Sequence, residues 1–296
     1  MHAPGTKVTL VEDEAAVWVQ SASGRQALHG TRAPVKLPDF AGRRHARVLR
    51  VLHQELLVDV TRAGPVPNFF VYDKPWYRDA AMMALAFRET GNMHVIRDWV
   101  AGLGQPFDFN NQGTPEPDNL GQALFLLAAT GAGTGHALVP KVLAAVKRFE
   151  VAAPDGSRYV SGTTDSQPHP VFQTKWMKYG LAALQLPDPY TVPKVKDGYS
   201  ALFWMDYRDQ HVPGPDSKDR GDYPYLGWAN DHFHGNKKSP IGNRDYPLTW
   251  EQEASAADYS RLKVIDPVYA SRKLSAPHTR HAAEGVLYVL GGGGSG

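Results

Sequence analysis

The chain alternates between segments with the apolar periodicity of a helix and long polar segments. Within residues 43–62, apolar residues recur at spacings of three and four and form one stripe along a helix, namely Val48, Leu49, Leu52, Leu56 and Leu57. Residues 74–91, KPWYRDAAMMALAFRETG, predict a second helix with an almost wholly apolar body that ends at Gly91. Further helices are predicted at 92–104, 117–131, 136–150, 173–186, 249–262 and 278–290.

Two of these helices share a design that suggests a weak internal repeat. Each has a carboxylate near its start (Asp79 and Asp118), an apolar body and a Thr-Gly end. Their spacing is that of a helical hairpin, which favours a single all-α domain of paired helices over residues 42–290. Residues 1–41 predict one or two short strands or an extended arm, and residues 291–296 look like a linker or tag remnant.

Composition and charge remove several classes of function. A chain of 296 residues that is 42% hydrophobic can bury a large core. The net charge is only +2 and the basic residues are scattered, so no nucleic-acid partner is predicted. No apolar run is long enough for a signal peptide or a membrane span, so we expect a mature exported or a cytoplasmic protein without a membrane partner. The absence of cysteine excludes thiol chemistry and Cys-ligated metals.

Aromatic residues give the first indication of a ligand. The chain has seven Trp, thirteen Tyr and 23 Pro, many of them in long polar segments such as residues 213–247. Long segments of this kind within a compact domain are usually functional. Aromatic side chains stack on flat apolar surfaces, and the C–H faces of sugar rings are common examples. We therefore expect a carbohydrate substrate and no cofactor.

The start of the second helix carries the first set of candidate binding residues. Trp76, Tyr77, Arg78 and Asp79 lie directly before an apolar helix body. Asp79 alone could act as an N-cap. An arginine can also hold a pair of hydroxyl groups through two hydrogen bonds, and a neighbouring aromatic ring can stack on the sugar.

The sequence NRDYPLTWEQ adds Trp250 and Glu251 at another helix start, where an indole could raise the pKa of the carboxyl and favour a general acid. The alternative is that Glu251 only complements the helix dipole.

A third set of candidates lies in DYPYLGWANDHFHG, residues 222–235. It brings together two aromatic side chains, a carboxylate and two histidines: Tyr225, Trp228, Asp231, His232 and His234. The histidines could bind a metal together with His278 and His281, but glycine, asparagine and proline predict a loop without metal-ligand spacing. Hydrogen bonds to a substrate are the favoured use, and no metal is predicted. Asp118, Asn119, Lys175 and Trp176 also lie near helix starts and would join one face if helices alternate in direction.

These motifs resemble the six-hairpin glycosidase superfamily with its (α/α)6 toroid. The resemblance covers residues 42–290 and rests on W-x-R-D-A, D-N-x-x-A-L and T-W-E, which are most similar to glucoamylase-type enzymes. It implies that Arg78 and Asp79 bind the terminal sugar and that Glu251 is the general acid. The sequence predicts fewer helices than six hairpins contain, so the toroid is expected to be incomplete or partly replaced by loops. The second catalytic carboxylate is not evident; Asp79, Asp118 and Asp231 are its candidates.

Three functions remain open on these residues. The first is hydrolysis of a glycosidic bond by a pair of carboxyl groups. The second is a polysaccharide lyase, in which a His or Tyr base abstracts a proton from a uronic acid. Its candidates are Tyr225, His232, His234, Asn230 and Arg244. The third is a sugar-binding helical protein without catalytic activity, whose carboxylates are caps and ion pairs.

Overall fold

The structure is a computed structural model. It describes residues 2–3, 6–7, 9–12, 17–27, 35–43, 46–68, 72–110, 113–164, 167–195, 197, 279–288 and 290. Two predictions, the helix at 249–262 and the long segment 213–247, lie outside these residues. None of the described helices is both long and apolar enough to cross a lipid bilayer.

The predicted helices in the described part of the chain are confirmed. Their bounds are α1 (Ala46–Val58), α2 (Tyr77–Thr90), α3 (Arg97–Ala101), α4 (Asp118–Thr130), α5 (Leu138–Ala145), α6 (Pro170–Ala183) and α7 (Thr279–Tyr288). Short 3-10 helices cover Met93–Val95 and Val146–Phe149. The two repeat-like helices, α2 and α4, both end at a left-handed glycine, Gly91 with φ 71° and Gly131 with φ 80°. This geometry avoids the steric cost of a side chain and satisfies the last carbonyls.

Short antiparallel strand pairs accompany the helices. The amino-terminal arm contains the pair β1 (His2–Ala3) and β2 (Thr6–Lys7), followed by a three-stranded sheet of β3 (Thr9–Glu12), β4 (Val17–Ser21) and β5 (Gly24–Ala27). Three more pairs lie within the helical part: β6 (Val60–Thr61) with β7 (Gly64–Pro65), β8 (Glu150–Ala152) with β9 (Arg158–Val160), and β10 (Thr163–Thr164) with β11 (Gln167–Pro168). The all-α prediction did not include these three pairs, because runs of two or three residues have no readable periodicity.

Helix α4 packs against α2 on one side and against α6 on the other, and α7 packs against α2 and α1. The contact between α4 and α6 is made by glycines. A Cβ atom on Gly121 would overlap the backbone carbonyl of Trp176, and one on Gly180 would overlap the backbone oxygen of Gly121. These two positions therefore need glycine for the two backbones to touch. The helices form the row α6–α4–α2–α7.

The helices of this row begin at the same end. Arg78 in the first turn of α2 binds Asp118 in the first turn of α4. At the other end, Arg88 of α2 donates to the hydroxyl of Tyr179 in α6. The N–H of Arg280 at the start of α7 donates to Asp79 of α2. The helix N-termini thus lie side by side, and we refer to this end, with residues 105–110, 113–119, 162–164 and 167–173, as the helix mouth.

The core consists of the apolar helix bodies. The leucines of the predicted α1 stripe that the structure describes, Leu49, Leu52, Leu56 and Leu57, are buried. The bodies of α2 and α4 are buried on every side from Ala80 to Phe87 and from Leu120 to Leu127. The polar residues at the mouth are thus held by helices that cannot shift without breaking this core.

Candidate functional site

Arg78 forms two buried ion pairs at the helix mouth. Its Nε donates to Asp118 Oδ2 (2.9 Å) and its Nη2 donates to Glu116 Oε2 (2.5 Å). The three side chains are almost fully excluded from solvent. Charge-assisted hydrogen bonds of this kind fix both partners in orientation. Arg78 therefore ties the start of α2 to the start of α4.

Asp118 is saturated with hydrogen bonds. Besides Arg78, Gln122 Nε2 donates to its Oδ2 (2.9 Å) and the Thr164 hydroxyl donates to its Oδ1 (2.7 Å). Gln173 in α6 donates to the same Thr164 oxygen (2.9 Å), so the network continues to the start of α6. A fully buried carboxylate with three donors is well suited to holding other groups in place. It offers no exposed surface on which a substrate could bind.

Asp79 stabilises the start of a different helix from its own. The N-cap position of α2 is Trp76 and makes no side-chain cap, so the expectation that Asp79 is the N-cap of its own helix is wrong. Its Oδ1 instead accepts the backbone N–H of Arg280 (3.0 Å) and the hydroxyl of Thr279 (3.4 Å). Both donors belong to the first turn of α7. Asp79 is the third residue of α2, and from this position its carboxylate faces the start of the neighbouring helix α7.

Asp108 stabilises the start of α2 in the same way. Its Oδ2 accepts the N–H of Tyr77 (2.6 Å) and its Oδ1 accepts the N–H of Asn110 (3.0 Å). The pKa of Asp108 is raised to about 6. Burial is the main cause and the charge of Asp118 adds to it, while the two N–H groups and Arg78 act in the opposite direction. Unlike Asp79, Glu116 and Asp118, this carboxyl is only half-buried. It combines access to solvent with a pKa that is raised towards neutral pH.

A histidine and an aspartate lie together at the start of α6. His169 Nδ1 is 3.1 Å from Asp197 Oδ1, and Asp197 Oδ2 accepts the N–H of Phe172 (3.0 Å). The Asp197 side chain is 1% exposed and that of His169 is 19% exposed. A buried carboxylate that bonds one imidazole nitrogen fixes the ring orientation, as in proton-transfer pairs of enzymes.

The predicted aromatic binding residues in the described part of the chain lie in the interior. Trp176 packs against Phe125 with its ring centroid 6.1 Å away, and none of its surface is exposed. Tyr77 donates its hydroxyl to the carbonyl of Gln105 (2.6 Å), and Trp76 packs against Tyr72 (4.7 Å between ring centroids). These contacts explain the side chains as parts of the core, and their roles in binding stay predictions.

The remaining predicted residues fall into two groups. Asn119 is buried at the mouth, where its Oδ1 accepts the N–H of Asp108 (3.2 Å), and Lys175 is buried further along α6. The second group, Tyr225, Trp228, Asp231, His232, His234, Trp250 and Glu251, lies outside the described residues, as do Asn230, Arg244 and His278. The prediction that Glu251 or Asp231 joins the mouth therefore stays a prediction.

Four ionisable residues at or beside the mouth were not predicted from the sequence: Asp108, Glu116, His169 and Asp197. The sequence carried a usable signal for two of them. Glu116 precedes Asp118 by two residues in PEPDN, and His169 stands directly before Pro170, a residue favoured in the first helical turn. Asp108 and Asp197 lie in irregular segments, and only the folded chain brings them to helix starts. No group of three or more side chains suited to holding a metal ion occurs among the described residues.

Comparisons with known proteins add no relative. No protein-family model, no curated protein and no solved structure matches this chain. The chemistry of the mouth is therefore the basis on which a function can be inferred.

Proposed function

We propose that the protein is a glycoside hydrolase that cleaves an oligo- or polysaccharide at the helix mouth. The observation that carries the proposal is the contrast between two neighbouring carboxyl groups. Asp108 is half-buried with its pKa raised to about 6, whereas Asp118 is fully buried and paired with Arg78. Of the two, therefore, only Asp108 is accessible to a substrate and has the raised pKa that suits a general acid.

In the proposed reaction, Asp108 is the general acid. It donates its proton to the glycosidic oxygen as the bond from that oxygen to the anomeric carbon breaks. A second carboxylate takes a proton from the water that attacks the carbon. Alternatively, this carboxylate attacks the carbon itself and forms a glycosyl-enzyme, which water then hydrolyses while the ionised Asp108 takes the proton of that water. Glu251 and Asp231 are the proposed sources of this second group. Asp79 and Asp118 then act as positioning residues, because each holds a helix start and is fully buried.

The arrangement of helices supports a toroid of the α/α type for this enzyme. Neighbouring inner helices of such a ring are parallel and present their N-termini on one face. The row α6–α4–α2–α7 has this arrangement, and the last described helix lies beside α2.

The test is hydrolysis of a panel of neutral and uronic oligosaccharides by the full chain, followed through new reducing ends. We expect activity on at least one neutral glycan and a loss of roughly a hundredfold or more in Asp108→Asn, which keeps the shape but has no acidic proton. Asp98→Asn is the matched control, since Asp98 is an exposed carboxylate of α3. Equal activity in the wild type and in Asp108→Asn would refute the role of Asp108, and no activity on any glycan would refute the function.

A polysaccharide lyase is the second candidate, and the His169–Asp197 pair is the observation that favours it. An imidazole oriented by a buried carboxylate can abstract a proton next to the carboxylate of a uronic acid. Elimination yields an unsaturated sugar, whose ultraviolet absorbance rises together with the reducing ends. Activity that produces this absorbance and is lost in His169→Gln, but kept in Asp108→Asn, would assign the lyase instead.

A further inference from the structure

Phe109, the residue after Asp108, is exposed in an unfavourable backbone conformation. It is 42% exposed and its φ is 52°. For a residue with a side chain, this left-handed region costs about 1 kcal/mol or more. Glycine or asparagine would occupy it more readily, so neither burial nor turn geometry explains a phenylalanine here.

The surrounding residues hold this conformation firmly. Lys74 Nζ lies within hydrogen-bonding distance of three successive carbonyl oxygens, those of Asp108 (3.4 Å), Phe109 (2.6 Å) and Asn110 (3.1 Å). The Asp108 carboxylate adds two further bonds, from the N–H groups of Tyr77 and Asn110. Contacts before and after Phe109 thus fix its backbone and the direction in which its side chain leaves the chain.

The ring of Phe109 rests on the core at one edge. Its centroid is 5.9 Å from that of Phe107, with the ring planes at 62°. Phe107 is buried and packs in turn against Phe149 at 6.0 Å. A ring supported in this way is a rigid apolar platform that loses little conformational freedom when it binds a ligand.

The neighbouring groups indicate which ligand would suit the platform. The half-buried carboxyl of Asp108 lies next to it and can bond hydroxyl groups, while the ammonium of Lys74 disfavours a cationic ligand. Among the described residues, Val195 is the only other exposed large apolar side chain, so the described surface shows no apolar patch of the size that protein interfaces use. A phenyl ring beside a group that bonds hydroxyls matches a sugar ring, which has an apolar C–H face next to its hydroxyl groups.

We propose that Phe109 is the stacking platform of a sugar subsite at the helix mouth, which holds a neutral pyranose ring beside Asp108. This inference rests on the proposed function and specifies where its substrate binds. Binding buries the exposed face of Phe109 against the C–H face of the sugar. The strained backbone position directs the ring towards the proposed sugar.

Native gel electrophoresis through soluble starch, xylan or polygalacturonate tests the subsite. We expect the wild-type chain to be retarded by at least one of the two neutral polysaccharides. Phe109→Ala and Phe109→Gly should bind that polysaccharide roughly tenfold more weakly, since an apolar contact the size of a phenyl ring is lost. Phe109→Trp should keep the retardation, because it keeps a flat ring.

The glycine variant separates binding from folding. Phe109→Gly relieves the backbone strain, so it should be at least as stable as the wild type in thermal unfolding while it binds more weakly. Gln185→Gly is the matched control: Gln185 is also exposed, with φ 56°. It should change stability in the same direction and leave binding unchanged.

If Phe109→Ala and Phe109→Gly bind as tightly as a wild type that is retarded, the subsite is refuted and the proposed hydrolase is not. If the wild type is retarded only by polygalacturonate, the neutral subsite is refuted, and the lyase gains support. A wild type that neither binds nor cleaves any glycan refutes both proposals.

Discussion

Replacing Arg78 by methionine should destabilise the protein strongly, because it leaves two carboxylates in the interior without their cation. The Glu116 and Asp118 side chains are 2% and 0% exposed, and both bond the guanidinium directly. Removing one partner of a buried ion pair typically costs about 3–5 kcal/mol. This is a large part of the roughly 5–15 kcal/mol that holds most domains folded. Methionine keeps most of the side-chain volume, so the loss reports the charge and its hydrogen bonds.

Urea unfolding of four variants measures this effect and its cause. Glu116→Gln should destabilise the wild type by about 1 kcal/mol, since Arg78 keeps Asp118. In the Arg78→Met background the same change should stabilise the protein, because it removes a buried charge that has lost its partner. Arg88→Met is the control, in the same helix but 43% exposed, and should change the stability by less than about 0.5 kcal/mol. The reasoning is refuted if Arg78→Met costs no more than Arg88→Met, or if Glu116→Gln has the same sign in both backgrounds.

Three further predictions concern other parts of the structure. Burial lowers the pKa of His53 to about 4, while an unfolded histidine titrates near 6.5, so the unfolded state takes up a proton first and stability falls as the pH drops from about 6.5 to 4. Between about pH 7 and pH 4.5 the free energy of unfolding, measured with urea, should fall by about 2–3 kcal/mol less in His53→Asn than in the wild type. An identical pH dependence of the two proteins would contradict this prediction. Gly121→Ala should lower the free energy of unfolding by at least about 3 kcal/mol, because the new Cβ atom meets the Trp176 backbone. Gly135→Ala is the control and should be neutral, since a Cβ atom there has nothing within 4 Å. Comparable unfolding midpoints of the two variants would disprove the close contact. If Asp108 is the general acid, it must carry its proton, so the hydrolysis rate should fall as the pH rises above about 6; a rate that rises through this range would reverse the assignment.

The helix bodies were predictable because their signal is local. Apolar residues at spacings of three and four in α1, and the Thr-Gly ends of α2 and α4, report the structure of the same few residues that carry them. The strand pairs β6–β11 were not predictable, since each strand has only two or three residues. Their pairing depends on turns and on contacts with neighbouring helices, which no local pattern encodes.

The polar mouth was predictable in part, and the helix caps explain the difference. Arg78, Asp79, Asp118 and Asn119 were found because they stand at helix starts in the sequence. Three caps come instead from residues far along the chain. Asp108 caps α2 across 31 residues, Asp197 caps α6 across 25, and Asp79 caps α7 across 201. The rules for caps consider only the residues that precede a helix, so these carboxylates could not be assigned from the sequence.

Because helices are capped by side chains of other segments, the helix mouth is also a cooperative structure. The N-terminus of α2 is completed by Asp108, and α2 in turn supplies Asp79 to α7. Arg78 joins α2 to α4, and Thr164 and Gln173 extend the network to α6. None of these bonds can form within an isolated helix, so the mouth assembles only when the helices associate. A residue that belongs to this network will therefore affect stability and activity together when it is replaced. Asp108 and Phe109 lie at its solvent-facing edge, and replacing Phe109 in particular should separate binding from folding.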